Sequence, residues 1–364
     1  MQISQLAQAG CSVWLDDLSR AKLTGTDSHS LPPRIATAGV VGVTTNPAIF
    51  RSAIAGATEY AADIAALKGK SVEEVITKLT SDDVRQACDL FSDIHLESNG
   101  FDGRVSIEVD PRSAHDTQAT VTEGKALWKI IDRPNVMIKV PATIAGLPAI
   151  TELIGSGISV NVTLIFSIER YLQVIEAFIA GIELAKERGE DLTKIHSVAS
   201  FFISRLDSAI DPLLKADGTV LAHSLLGAAA IANAHLAYQS FEEEFATDRW
   251  KVLAANGANL QRPLWASTGV KDPAYDDTRY VLELVAPHTV NTMPQSTLDA
   301  VIDHGIFKGN TISGKYEEAK LVFNQLAELG ISINQVTADL ETDGVKKFAD
   351  AWNELLANVK GAMA

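Results

Sequence analysis

Short apolar runs that stop at a polar residue recur about eight times along this chain, and a stretch with helical periodicity follows nearly every one. No other feature limits the fold as strongly. Strand–helix alternation of this kind builds parallel sheets, and eight such units close into a (β/α)8 TIM barrel. The runs are residues 12–16, 40–45, 104–110, 136–141, 157–163, 195–200 and 263–267, with a more polar eighth at 288–292. Their punctuation supports this division. Pro47 excludes Asn46 from the helical region and suits a first helical turn, so the second run ends at Asn46. Ser71 and Glu74 are spaced as a capping box, and Pro148 and Gly155 bound a helix over 147–154. Ser167 caps a helix whose apolar positions Ile168, Tyr171, Leu172, Ile175, Phe178 and Ile179 recur at three and four, up to Gly189.

The 364 residues show no internal repeat, linker or low-complexity segment, so one domain over 1–364 is expected. It carries more helix than the crossovers need, near 48–98 and 212–260, and an amphipathic helix near 344–360 bearing Val345, Phe348, Trp352, Leu355 and Val359. A net charge of −15 argues against nucleic acid or an anionic membrane as partner, and leaves room only for a local phosphate site. The first residues lack a basic segment followed by an apolar one, and every long apolar stretch is interrupted by charge, so neither an export signal nor a membrane span is expected. Two cysteines, Cys11 and Cys88, are too few for a disulfide scaffold or a cysteine zinc site. They read as packing residues of a cytoplasmic protein.

In a barrel of this kind chemistry sits at the carboxyl ends of the strands, and only one parity of each strand faces the axis. The fourth run, Val136-Met137-Ile138-Lys139-Val140-Pro141, carries a lysine inside an otherwise apolar strand. Desolvation without a partner disfavours the ammonium, and a neutral amine attacks carbonyls. At an ordinary pKa of about 10.4, fewer than about one lysine in a thousand is neutral at pH 7, so burial must do this work. The other runs end in Asp16, Asn46, Glu108, Asn161 with Thr163, Ser200 and Ser267. Asn161 and Thr163 share a parity, as do Thr44 and Asn46, and inward Trp14 favours Asp16 over Asp17.

Two stretches, Gly42-Val43-Thr44-Thr45-Asn46-Pro47 and Ile138-Lys139-Val140-Pro141-Ala142-Thr143, resemble the signature segments of transaldolases. The resemblance extends in order from residue 12 to 295, through Ser106-Ile107-Glu108-Val109-Asp110, Asn161-Val162-Thr163-Leu164-Ile165-Phe166-Ser167 and Ser200 to Arg205. Trp14-Leu15-Asp16-Asp17 is similar to the long bacterial subfamily, including the transaldolase part of fusions with phosphoglucose isomerase. The resemblance implies transfer of a dihydroxyacetone unit from sedoheptulose 7-phosphate or fructose 6-phosphate to an aldose phosphate, glyceraldehyde 3-phosphate or erythrose 4-phosphate, without metal or organic cofactor. It implies a Schiff base on Lys139, Asp16 as base toward the C4 hydroxyl, and Glu108 with Thr163 acting through a water. Asn46 and Asn161 would hold hydroxyls of the three-carbon unit, with Ser200 in the same substrate set. Arg205 and Ser267 match phosphate contacts. Where many members read Ala-Ser-Phe-Arg, this chain has Ala266-Ser267-Thr268-Gly269-Val270-Lys271, so Lys271 is the candidate second cation.

Each residue also has a plainer reading. Asp16 suits a helix N-cap, Glu108 a structural ion pair with Lys139, Asn46 a turn, Thr163 a cap, and Arg205 and Lys271 surface charges. His196 reads as a core histidine. Competing functions are an aldolase-type lyase releasing dihydroxyacetone, a pyridoxal-phosphate enzyme with Lys139 as its aldimine, and a non-catalytic sugar-phosphate-binding barrel. Monomer and homodimer both remain open.

Overall fold

A computed structural model of the chain describes residues 2–364. Eight parallel strands close into a barrel in sequence order: β1 Cys11–Leu15, β2 Gly42–Val43, β3 Arg104–Glu108, β4 Val136–Pro141, β5 Val160–Ile165, β6 Ser197–Phe202, β7 Gln261–Ala266 and β8 Thr289–Met293. β8 returns to pair with β1 from Cys11↔Thr289 to Leu15↔Met293. Strands buried on both faces read as nearly continuous apolar runs. The two faces nonetheless separate by parity. Val13, Leu15, Val105, Ile107, Ile138 and Val140 pack outward under the helices. Trp14, Met137, Val198, Leu264 and Val290 fill the barrel interior.

The expected strands are present, with shifted ends. β2 is the shortest, at Gly42–Val43, although Val41 N–H bonds Val13 O at 2.9 Å and Thr44 N–H bonds Leu15 O at 2.9 Å, continuing the pairing beyond it. β5 starts at Val160 rather than 157, because Gly157 adopts φ +77° in the preceding turn. Its far end carries a register shift against β6 between Val162 and Ile165, where Leu164 takes φ +61° and joins the interior cluster. A bulge of this kind re-aims side chains at a barrel rim.

The helical stretch after β6 is several helices: Ser204–Asp217, Val220–Ser224, Ala229–Glu244 and Asp248–Ala254. Glycines in the left-handed region, Gly218 at φ +72° and Gly227 at φ +68°, break it. The closing helix is longer than expected, running Ile333–Met363 from the Ser332 cap, whose hydroxyl accepts from Gln335 N–H. It packs on the helices Pro47–Ile54, Val72–Leu90 and Ser204–Asp217 and on β5, and so lies over the carboxyl ends of the strands. Among the described residues no helix is long and apolar enough to cross a membrane.

Gly42 sits where β2 passes the Trp14 indole, and a Cβ there would come within 2.6 Å of the ring. Gly42→Ala is therefore expected to lower stability by about 1–3 kcal/mol through overpacking. Trp14→Phe in the same chain should recover part of that loss. Equal melting midpoints for the wild type and Gly42→Ala would show that the interior yields at this point.

Candidate active site at the carboxyl ends of the strands

Parallel pairing places the central residues side by side. Glu108 on β3 pairs in register with Lys139 on β4, and Lys139 with Asn161 on β5. All three share the inward parity. Lys139 is 4% exposed and Glu108 6%. Lys139 Nζ donates to the Thr45 carbonyl at 3.0 Å and lies 3.4 Å from Glu108 Oε2. The Phe348 ring lies 5.5 Å from Nζ. Lys139 thus has partners, and the Glu108 pairing weighed from the sequence is present in the geometry. Burial pushes the Glu108 carboxyl up to about 7, against the pull of Lys139. A carboxyl with that affinity can take up and return protons near neutral pH.

Asp16 stands just past β1 and lines the same cavity as Lys139. It is no helix cap: Ser19 caps the helix Arg20–Thr24, its hydroxyl accepting from Lys22 N–H. Asp16 Oδ1 accepts from Thr44 Oγ1 at 2.6 Å, and Thr44 also bonds Thr292 Oγ1 at 2.6 Å. Burial raises the Asp16 pKa, and Lys139 and Thr44 oppose the rise. Asp17 pairs with Lys22 instead, as the parity argument requires.

The cavity has a volume of about 130 Å³ and gathers Asp16, Asn46, Lys139, Ser200, Arg205, Ser267 and Lys271 from the carboxyl ends of five strands and the segments that follow them. Glu108, Asn161 and Thr163 sit in the barrel wall beside it, fully or almost fully buried. Neither Glu108 oxygen makes a hydrogen bond, nor does Thr163 Oγ1. Asn46 serves two ends at once. Its Oδ1 accepts from Ile49 N–H at 3.0 Å as the cap of Pro47–Ile54, while its amide faces the cavity. Asn161 is more committed than a free substrate ligand would be: Oδ1 accepts from Ser200 Oγ at 2.7 Å and Nδ2 donates to Ser106 Oγ at 2.9 Å. Ser200 is therefore as much a support for Asn161 as a cavity residue.

On the far side, Arg205 opens the helix Ser204–Asp217 and carries a buried Nη1 with no partner. Burial lowers its pKa, with Asp343 and Asp16 pulling the other way. Ser267, at φ +56°, has left the strand geometry, and its hydroxyl lies 3.1 Å from Ser204 Oγ. Lys271 is exposed at the rim. A helix N-terminus, a free guanidinium face and two hydroxyls are complementary in charge and hydrogen bonding to an anion. His196 lies at the opposite end of the barrel, 8% exposed, outside this group.

Two groups of residues escaped the sequence reading. Phe202 follows the inward parity of Ser200 and was accessible by alternation; it lies 5.1 Å from the Arg205 guanidinium. Phe348 and Asp343 come from the closing helix, where an apolar stripe reads only as packing and nothing local points to the barrel mouth. Among the described residues no group of three or more His, Cys, Asp or Glu is disposed to hold a metal ion.

The transaldolase/fructose-6-phosphate aldolase family model matches residues 13–359. The chain belongs to this family. It is 58% identical to the transaldolase of Renibacterium salmoninarum over 99% of this chain and 96% of that one. To transaldolase 1 of Streptomyces coelicolor it is 56% identical over 98% and 93%, and to the Mycobacterium bovis transaldolase 53% over 98% and 96%. The resemblance carried by the two signature stretches therefore extends over almost the whole family length.

The raised Glu108 carboxyl has a stability signature. Its folded value of about 7 exceeds the 4.5 of the free side chain. The protonated form therefore favours the fold below pH 4.5, and that contribution is lost as pH rises through about 7. Glu108→Gln cannot titrate, so its stability relative to the wild type should improve as pH rises across that window. Melting curves that run parallel for the two proteins throughout it would rule out a buried carboxyl titrating near neutrality.

Proposed function

We propose that this chain is a transaldolase that moves a dihydroxyacetone unit between sugar phosphates through a Schiff base on Lys139. The observation that carries the reading is Lys139, set by strand register between Glu108 and Asn161 and sharing one cavity with Asp16 and with Arg205, whose buried Nη1 has no partner.

The Lys139 amine adds to the ketone carbon of sedoheptulose 7-phosphate or fructose 6-phosphate, and the carbinolamine loses water to give the protonated imine. Glu108 supplies and recovers the protons of this step through a water shared with Thr163, a role supported by the absence of any other hydrogen-bond partner for its oxygens and for Thr163 Oγ1. Asp16, made more basic by burial, removes the C4 hydroxyl proton. The C3–C4 bond then breaks, its electrons pass into the iminium, and the aldose phosphate leaves. Asn46 and Asn161 hold the hydroxyls of the three-carbon enamine until glyceraldehyde 3-phosphate or erythrose 4-phosphate arrives. The same steps then run in reverse. Phe348 and Phe202 limit water at the lysine meanwhile, which favours transfer over hydrolysis.

Arg205, Ser267 and the start of the Ser204–Asp217 helix take the phosphate, with Lys271 contributing from the rim as a point charge. Sugar phosphates are the partners, and the net charge of −15 disfavours nucleic acid. Two buried, unpaired cysteines fit a reducing cytoplasm, with the chain working as monomer or homodimer.

Incubation with fructose 6-phosphate and borohydride should leave a reduced three-carbon adduct, located on Lys139 by peptide mass mapping. An adduct elsewhere, or none, defeats the mechanism. Dihydroxyacetone released at the same rate with and without an acceptor aldose phosphate would mark a lyase instead. Arg205→Ala should lower kcat/KM for fructose 6-phosphate by about 10- to 100-fold, since hydrogen bonds to charged groups are worth roughly 1.5–3 kcal/mol. Unphosphorylated fructose should be unaffected, and an equal loss for both sugars would remove Arg205 from the phosphate site.

A further inference from the structure

The amino ends of the strands enclose a second cavity, of about 240 Å³, walled by Arg104, His196, Asn259 and Arg262 on its polar side. Met137 and Val198, each two residues before a residue of the mouth, line it and also belong to the packed interior that lies between the two ends. Phe101 and His288 stand exposed at its rim, so it opens to solvent.

The charges here do not balance. Arg104 is 1% exposed and Arg262 4%. Asp102 is the one carboxylate among the described residues whose charge acts on both. Asp102 is already occupied, accepting from Arg262 Nη1 at 3.2 Å, Ser12 Oγ at 2.8 Å and Trp14 Nε1 at 3.3 Å. Arg262 Nη2 is spent on Ser12 Oγ and the Thr289 carbonyl, and its Nε, fully buried, has no partner. Arg104 meets only neutral acceptors. Its Nε donates to Gly100 O at 2.7 Å, and its Nη1 reaches Pro134 O at 3.4 Å and Ser159 Oγ at 3.3 Å. Burial and the neighbouring Arg262 push Arg104 down to about 9, which leaves it charged at neutral pH. Burial and the nearby cations keep His196 neutral.

The backbone makes room for this arrangement. Gly100 lies at φ +81°, and a Cβ on it would come within 2.9 Å of both Arg104 Nη2 and His196 Nε2. A purely structural clamp would account for Arg104 tying Gly100, Pro134 and Ser159 together. It leaves unexplained the surplus positive charge and the unpartnered Arg262 Nε. Buried charges are ordinarily paired, and arginine suits bidentate oxyanions. The volume lies below the roughly 300 Å³ at which pockets for drug-sized ligands begin, so the occupant is small.

We propose that this floor cavity binds one small oxyanion, a phosphate or a short carboxylate, between Arg104 and Arg262, independently of the sugar-phosphate site at the mouth. Removing a buried arginine risks unfolding, so the test blocks the entrance instead. Ala258, half-buried in the cavity wall, becomes phenylalanine. In an Arg205→Ala/Lys271→Ala chain, which lacks the mouth cations, titration calorimetry with inorganic phosphate and with acetate at fixed ionic strength should show one saturable anion per chain. Phosphate alone, or acetate alone, assigns the class. Adding Ala258→Phe should weaken that binding at least tenfold while the circular dichroism stays unchanged. In the otherwise wild-type chain, Ala258→Phe should leave turnover of fructose 6-phosphate intact. Binding of neither anion, or binding that Ala258→Phe does not change, overturns the proposal.

Discussion

The mouth of the barrel depends on how three neighbouring parallel strands are staggered. Because β3, β4 and β5 pair with Glu108 opposite Lys139 and Lys139 opposite Asn161, an acid, an amine and an amide arrive in one inward-facing row with no loop involved. A slip of one residue in β4 would turn Lys139 outward into the apolar layer under the helices and bring Ile138 or Val140 inward. The outward residues of these strands, Ile107, Ile138, Val140 and Val162, are all buried in that layer, so such a slip would bury charge and expose nothing useful. The outer core therefore holds this row in place by making every other register costly.

Register alone does not set the chemistry of the row. Lys139, Glu108 and Asp16 are enclosed together, and the two carboxyls respond in the same direction, upward, because burial disfavours their charged forms more than the lysine favours them. Each acid stays distinct through its own partners. Asp16 is tethered to Thr44, which in turn meets Thr292, whereas Glu108 has the amine 3.4 Å away and no hydrogen bond at either oxygen. A tethered acid keeps its direction. An untethered one can exchange protons through solvent. The two carboxyls thus differ in how many hydrogen bonds hold each in place.

Residues carried by strands were largely legible from sequence, and those carried by the closing helix were not. Alternation along a strand is strict, so Trp14 inward implied Asp16 inward and Asp17 outward, and the structure agrees. The plainer reading of Asp16 as a cap failed because the chain needs three more residues to turn, and Ser19 does the capping. At Ser267 and Leu164 the parity argument stops, since both take left-handed backbone angles just where the strands end. Phe348 and Asp343 were hidden for another reason. An apolar helix face records that it packs, but not against what, and the partner here is the barrel mouth some two hundred residues away in sequence.

That closing helix joins stability to the enclosure of the cavity. Its ion pairs, Arg51 with Glu354 and Arg170 with Glu341, involve side chains that solvent reaches, and such pairs contribute at most about 1 kcal/mol each. Its attachment must then come mainly from the buried face: Gly344, Phe348, Ala351, Trp352, Leu355 and Val359. Gly344 lets the helix approach until a Cβ would stand 3.1 Å from Leu164, the residue turned inward by the β5 bulge. The bulge, the glycine and the phenylalanine therefore form one contact, and the ring that anchors the helix is also the ring beside Lys139 Nζ. A helix so fastened cannot loosen without admitting water to the lysine. Enclosure of Lys139 thus rests on the same apolar contact that holds the C-terminal segment to the barrel.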